Sequence, residues 1–115
     1  MIDLNKTANE SLLIATERQA NGANIKTDTR AMLKHTATEV VEAGEVYAMA
    51  VHKTFCDSGN EEAIKALNKE FAGELADIIN CVLIIAAYEE IDIEKALADC
   101  LKKNRLRALG KGDKK

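Results

Sequence analysis

Apolar residues concentrate in one stretch, Gly73 to Glu90 (GELADIINCVLIIAAYEE), which is almost wholly apolar from Ile78 to Ala87. A helix apolar on every side has to be enclosed by protein. Its apolar part, about 16 Å long, falls short of the ~20 residues that cross a bilayer. Elsewhere the pattern is one-sided. Leu12, Leu13 and Thr16 recur on one side of residues 5–20, predicting a first helix capped by Asn5 or Thr7 and stopped at Asn21-Gly22. Thr27-Asp28-Thr29 offers the next N-cap. A second helix is expected from about Thr29 to Phe55, with Met32, Val40, Val41, Val46, Tyr47 and Val51 in its apolar stripe. Gly44, costly inside a helix, predicts close helix contact there.

Asp57-Ser58-Gly59-Asn60 should break the chain, with Asn60 capping a segment that starts Glu61-Glu62. EEAIKALNKEF either forms a short helix or runs into the central one, and the balance favours a break near Asn68. The central helix should end near Glu90. Asp92 should then cap a last helix, IEKALADCLKKNRLRAL, closed by Gly110. The expected fold is all-α: an antiparallel bundle of four to five helices, completed by homo-oligomerisation that hides the central helix. Residues 1–110 read as one domain and 111–115 as a basic C-terminal tail.

Composition narrows this picture. A chain of 115 residues holds one domain at most. It is 47% hydrophobic but only 3% aromatic, with no Trp, so its core must be aliphatic. The absence of Pro and the six Gly favour helices. Cys56, Cys81 and Cys100 are odd in number and form no CxxC pair, which predicts reduced thiols in a cytoplasmic protein. MIDLNKTANE lacks the basic start and apolar run of a signal peptide, and no membrane association is expected.

The net charge of −3 hides an asymmetry. Lys102 to Lys115 holds seven basic residues and one acid, a net +6; the remainder holds nine and eighteen, a net −9. An acidic body argues against nucleic-acid binding. A short basic end suits a compact anion such as a polyphosphate, although a solvated tail is the simpler reading of Lys111 to Lys115.

Candidate chemistry lies in two acid pairs. Glu39-x-x-Glu42, with Glu45 three further on, stands on the second helix, and Glu74-x-x-Asp77 leads into the central one. Residues three apart share a helix face, so antiparallel packing can bring all four carboxylates together, repelling one another with nothing basic interleaved. Magnesium relieves such a set, being hard and oxygen-seeking. The plainer alternative is ordinary acids on solvated faces. His35, four residues before Glu39, is placed to act behind a metal ligand or to be a simple helical histidine. Neither His35 nor His52 follows a glutamate by three, which sets aside a ferritin-like di-iron site. On the last helix Cys100, Lys103, Asn104 and Arg107 share a face that continues an inward side begun by Ala96 and Leu97. Such a face suits phosphate oxygens, or it merely complements the helix dipole.

Glu39-x-x-Glu42, Glu74-x-x-Asp77 and IDIEKALADCLKKNRLR, in that order, resemble the MazG-like, all-α nucleoside triphosphate pyrophosphohydrolases over roughly residues 30–110. The most specific part is ELADIINCVLIIAAYEEIDIEKAL followed by KNRLR. The resemblance implies a helical bundle assembled as dimers or tetramers. It implies magnesium ligands at Glu39, Glu42, Glu74 and Asp77, with Mn2+ as a substitute. Lys103, Asn104 and Arg107 would touch the phosphates of a (deoxy)nucleoside triphosphate, which is cleaved to monophosphate and pyrophosphate. Glu42 or Glu45 would take the proton of the attacking water. Two features depart from the pattern: the long spacer from Glu42 to Glu74, and few aromatics to stack a base (Tyr47, Phe55, Phe71, Tyr88). A catalytically silent helical oligomer, acting as a regulatory or protein-interaction module, is the alternative.

Overall fold

The computed structural model describes residues 2–56 and 61–110, without the side chains of 53–56. Among these residues it is all-helical: α1 (Leu4–Ala20), α2 (Thr29–Cys56), α3 (Glu61–Tyr88) and α4 (Ile93–Ala108). α2 and α3 form the main pair, and α1 packs on α3. The pair is antiparallel. Tyr47 meets Phe71, Glu39 lies beside Asp77, and Met32 joins Cys81 and Ile84, so positions fall on one helix as they rise on the other.

Where the three helices meet, Ala15, Met32, Cys81 and Ile84 form the core, with Leu12, Ile25 and Ile85 packed around them. The core is aliphatic, as composition requires. Met32 and Ile84 are its most deeply buried side chains. Ile84→Ala should lower unfolding free energy by about 2–5 kcal/mol, because the cavity left behind adds to the lost transfer energy; urea titration followed by circular dichroism measures it.

Several boundaries differ from expectation. Asp3, not Asn5 or Thr7, caps α1, its carboxylate accepting from the Lys6 amide. Asn5 is engaged elsewhere: its Oδ1 accepts from the Ile93 amide at 2.9 Å and its Nδ2 donates to Asp92 at 2.8 Å. The Leu4 amide in turn donates to Glu94 at 2.8 Å. The N-termini of α1 and α4 thus cap each other. Asp92 also caps α4 as predicted, accepting from the Lys95 amide. The Asn5 amide, then the Lys95 amide, hold the Asp92 carboxyl below its ordinary range. Asn5→Ala removes the side chain that joins the two ends; it should cost about 1–3 kcal/mol and speed hydrogen exchange in α4.

α3 runs unbroken through Asn68, where a break was favoured. No Gly or Pro interrupts 61–72, and Glu61-Glu62 complement its positive end. Unbroken, α3 is long and apolar enough by length and composition to cross a membrane, contrary to the estimate from its apolar part alone. It ends at Tyr88, slightly before the expected Glu90. Glu90 takes a left-handed φ of 56°, and the Ile91 amide returns to the Ala86 carbonyl at 2.8 Å. The same arrangement ends α1: Gly22 has φ 93°, and the Ala23 amide donates to the Arg18 carbonyl at 2.9 Å. Asp28 caps α2 as expected, accepting from the Ala31 amide, and the Thr29 hydroxyl donates to Glu89. The expected break at 57–60 and the basic tail 111–115 lie outside the described residues.

Four packing expectations are not met within one chain. Gly44 is exposed with nothing near it, so it marks no close helix contact. The buried side of α2 carries Met32, Ala43 and Ala50, whereas Val40, Val41 and Val51 are exposed, as is Tyr47 even though its ring meets Phe71. The apolar part of α3 is covered on one side only, leaving Ile79 and Val82 exposed. α4 buries no residue and packs mainly against the start of α1, so Cys100, Lys103, Asn104 and Arg107 have no inward side. Because α1 and α4 join at their N-termini, their far ends diverge. The radius of gyration is 17.8 Å, against about 13 Å for a compact chain of 100 residues.

Candidate metal centre

The antiparallel pairing of α2 and α3 brings Glu39 opposite the Glu74–Asp77 turn. Each of these three carboxylates offers an oxygen, and the three oxygens lie within 4.8 Å of one another. Glu39 and Glu74 are half-buried and Asp77 is exposed. One Glu74 oxygen, Oε2, is buried with no hydrogen-bond partner. That atom makes the cluster unlike an ordinary solvated acidic face, since a buried acceptor left unmatched is costly.

Electrostatics agree with the geometry. Desolvation is the largest cause raising Glu74 above the ordinary glutamate range, followed by the charges of Glu42, Glu39, Asp77 and Glu70. Glu39 is raised first by desolvation and then by the neighbouring Glu42 carboxylate. His35 acts the other way. Its Nε2 lies 3.2 Å from Glu39 Oε1, and among the described residues that act on this carboxyl it opposes the rise. His35 therefore shares a helix face with Glu39, as the four-residue spacing requires.

Of the eight site residues expected, the structure brings Glu39, Glu74 and Asp77 together, with Glu42 coupled to two of them. Glu45 is exposed and is not among the charges that move Glu39 or Glu74. Lys103, Asn104 and Arg107 lie exposed on α4, which packs on α1 rather than on the acid-bearing helices. Asn104 Nδ2 contacts Cys100 Sγ at 3.7 Å. No lysine or arginine acts on the two raised carboxyls.

A cleft of about 280 Å³ opens beside the acids, lined by Glu39 and Asp77 at one end and by Met32, Ile84, Ile25 and Arg18 beyond. Cys81 and Asn80 complete its α3 wall. Burial pushes the Cys81 thiol up, with a hydrogen bond to Thr36 opposing, so it is a neutral packing group and not a nucleophile. Sequence reading passed over Arg18 and Asn80. Both had a signal: Arg18 extends the Ala8–Ala15 buried stripe of α1 by three residues, and Asn80 follows Asp77 by three.

The three atoms brought together are carboxylate oxygens, a hard donor set of the kind that can hold a small divalent cation. Acidic groups also cluster on surfaces without one; what sets this cluster apart is the buried Glu74 oxygen that lacks a hydrogen-bond partner. No protein-family model, curated protein or solved structure matches the chain.

Proposed function

We propose that this protein is a magnesium-dependent hydrolase that cleaves (deoxy)nucleoside triphosphates to monophosphate and pyrophosphate. The observation that carries the reading is the convergence of Glu39, Glu74 and Asp77 within 4.8 Å with Glu74 Oε2 left unsatisfied. Glu39, Glu74 and Asp77 hold the cation, and Glu42, coupled to two of them, completes the set. Bound there, magnesium supplies positive charge against phosphate oxygens and lowers the pKa of water.

The protein's own groups do the rest. Glu42, exposed at the edge of the cluster, accepts the proton of the water that attacks the α-phosphorus. Glu45, further out, is the lesser candidate for that role. A new P–O bond forms as the bridging α–β bond breaks, and pyrophosphate leaves with its electron pair. Lys103, Asn104 and Arg107 serve the phosphates when α4 is delivered by a second copy of the chain, in a dimer or tetramer. Self-association is supported by exposed apolar residues on three helices: Val41 on α2, Ile79 on α3 and Leu101 on α4. The reading fits a cytoplasmic enzyme. Incubation with a panel of nucleoside triphosphates and magnesium should release pyrophosphate from at least one; none from any, with the protein folded, ends the proposal.

A second reading is a silent helical oligomer that presents α4 to a protein partner. It is favoured by α4, which buries none of its residues and leaves Leu97 and Leu101, with Leu106 and Leu109, exposed. It predicts a stable assembly with no magnesium response.

A further inference from the structure

We propose that Arg18 and Lys26 form an anion-holding end to the cleft that starts at the carboxylates, and that they grip the phosphate chain of the substrate. This rests on the reading above of a metal-held phosphoanhydride.

Two adjoining pockets make up the cleft. The inner one, about 280 Å³, runs from Glu39 and Asp77 to Arg18. The outer one, about 350 Å³, shares Arg18, Ile25, Met32 and His35 with it and continues to Asn24 and Lys26. Charge changes sign along this path. The inner end holds two carboxylates, while no acid lines the outer pocket, which carries two permanent cations and the Asn24 amide.

These cations are not spent on the acids. Among the described residues the ion pairs are His35–Glu39 and Lys95–Asp99, and neither Arg18 nor Lys26 is among the charges acting on Glu39 or Glu74. A guanidinium beside an acidic cluster, but unpaired with it, is placed to take an oxyanion that the cluster's cation also binds. Arg offers two-pronged hydrogen bonding to phosphate, and Lys a point charge.

Local structure supports the placement. The left-handed Gly22 turn closes on the Arg18 carbonyl and returns the chain so that Ile25 packs against the core. Arg18 and Lys26 are thereby set on either side of that anchor.

The alternative guest for this end is the nucleobase, and the lining disfavours it. No Phe, Tyr or Trp borders either pocket, and the one ring that does, His35, turns its Nε2 to Glu39. The aromatic pair among the described residues, Tyr47 and Phe71 with ring centroids 5.4 Å apart, lies past the acids in the opposite direction. The cleft therefore suits phosphate and leaves the base to the other side.

The test titrates inorganic pyrophosphate into the full-length protein with saturating magnesium, by calorimetry. Arg18→Ala should weaken binding about ten- to a hundredfold, the range for a hydrogen bond to a charged group. Arg18→Lys should recover part of the loss, and Arg18→Ala with Lys26→Ala should lose more than either alone. Lys6→Ala, an equal loss of charge outside the cleft, should leave binding within about twofold. Binding by the folded double variant at the wild-type level overturns the inference, as does an equal loss in Lys6→Ala. Arg18-dependent pyrophosphate binding in a protein that hydrolyses no nucleotide would sustain the anion site while removing the catalytic reading.

Discussion

Glu74→Gln should raise the melting temperature of the metal-free protein and remove its response to magnesium. Glutamine keeps the shape of the side chain and deletes its charge. In the metal-free protein Glu74 is desolvated and faces Glu42, Glu39, Asp77 and Glu70, all of which raise its pKa. A neutral amide relieves that repulsion, and it can donate a hydrogen bond to a neighbouring carboxylate. The same change removes a metal ligand. Magnesium should then no longer shift the melting curve, and pyrophosphate release should fall by about a hundredfold or more, since even groups behind a ligand are worth 10–100-fold. Differential scanning fluorimetry with and without magnesium reads both effects. A variant that is less stable and still metal-responsive would place the cation elsewhere.

The same carboxyls set an unusual pH dependence. Glu39 and Glu74 have folded pKa values raised above 4.5, so in that window the folded state binds more protons than the unfolded one. Stability then falls as pH rises through the raised values, and it grows on acidification from neutral pH. Asp92 works in reverse: its stabilisation is present above 3.8 and is lost as pH falls through its depressed value. Metal-free protein should therefore be most stable at mildly acidic pH, and Glu74→Gln should flatten the rise. Thermal melts from pH 4 to 8 check this.

Replacing Leu97 and Leu101 together by glutamate should convert an oligomer of the 12.6 kDa chain into monomer. Leu97 is 45% and Leu101 61% exposed, four residues apart on one face of α4. A twofold interface would bury four such side chains. Each is about half exposed already, so each contributes about half of the 1.5–3 kcal/mol of full burial, and their loss moves the dissociation constant by about two to five orders of magnitude, before counting the cost of burying carboxylates. Light scattering after size exclusion measures the mass. Monomeric wild-type protein would remove the second-copy role given to Lys103, Asn104 and Arg107. If the variant is monomeric and loses hydrolysis while still binding magnesium, α4 acts between copies.

The helical class, the α2, α3 and α4 starts at Thr29, Glu61 and Ile93, and the caps Asp28 and Asp92 were legible in the chain because they depend on neighbours three or four residues away. The pairing of Glu39 with Glu74 and Asp77 was legible as a possibility for a related reason: acids at i and i+3 share a helix face and can meet across an antiparallel pair, although Glu42 stays outside the three-oxygen cluster. What only the tertiary structure decided was which faces are covered. Hydrophobic character on α2 is spread around the helix, so sequence could not tell the buried Ala43 and Ala50 from the exposed Val40 and Val41. α4's departure from the bundle follows from contacts about ninety residues apart, Leu4 to Glu94 and Asn5 to Asp92 and Ile93. Arg18's place at the mouth of the cleft depends likewise on how α1 lies across α3. Such distant contacts leave no periodic trace, because the chain's local repeat records a helix's own turn and not the position of its neighbours.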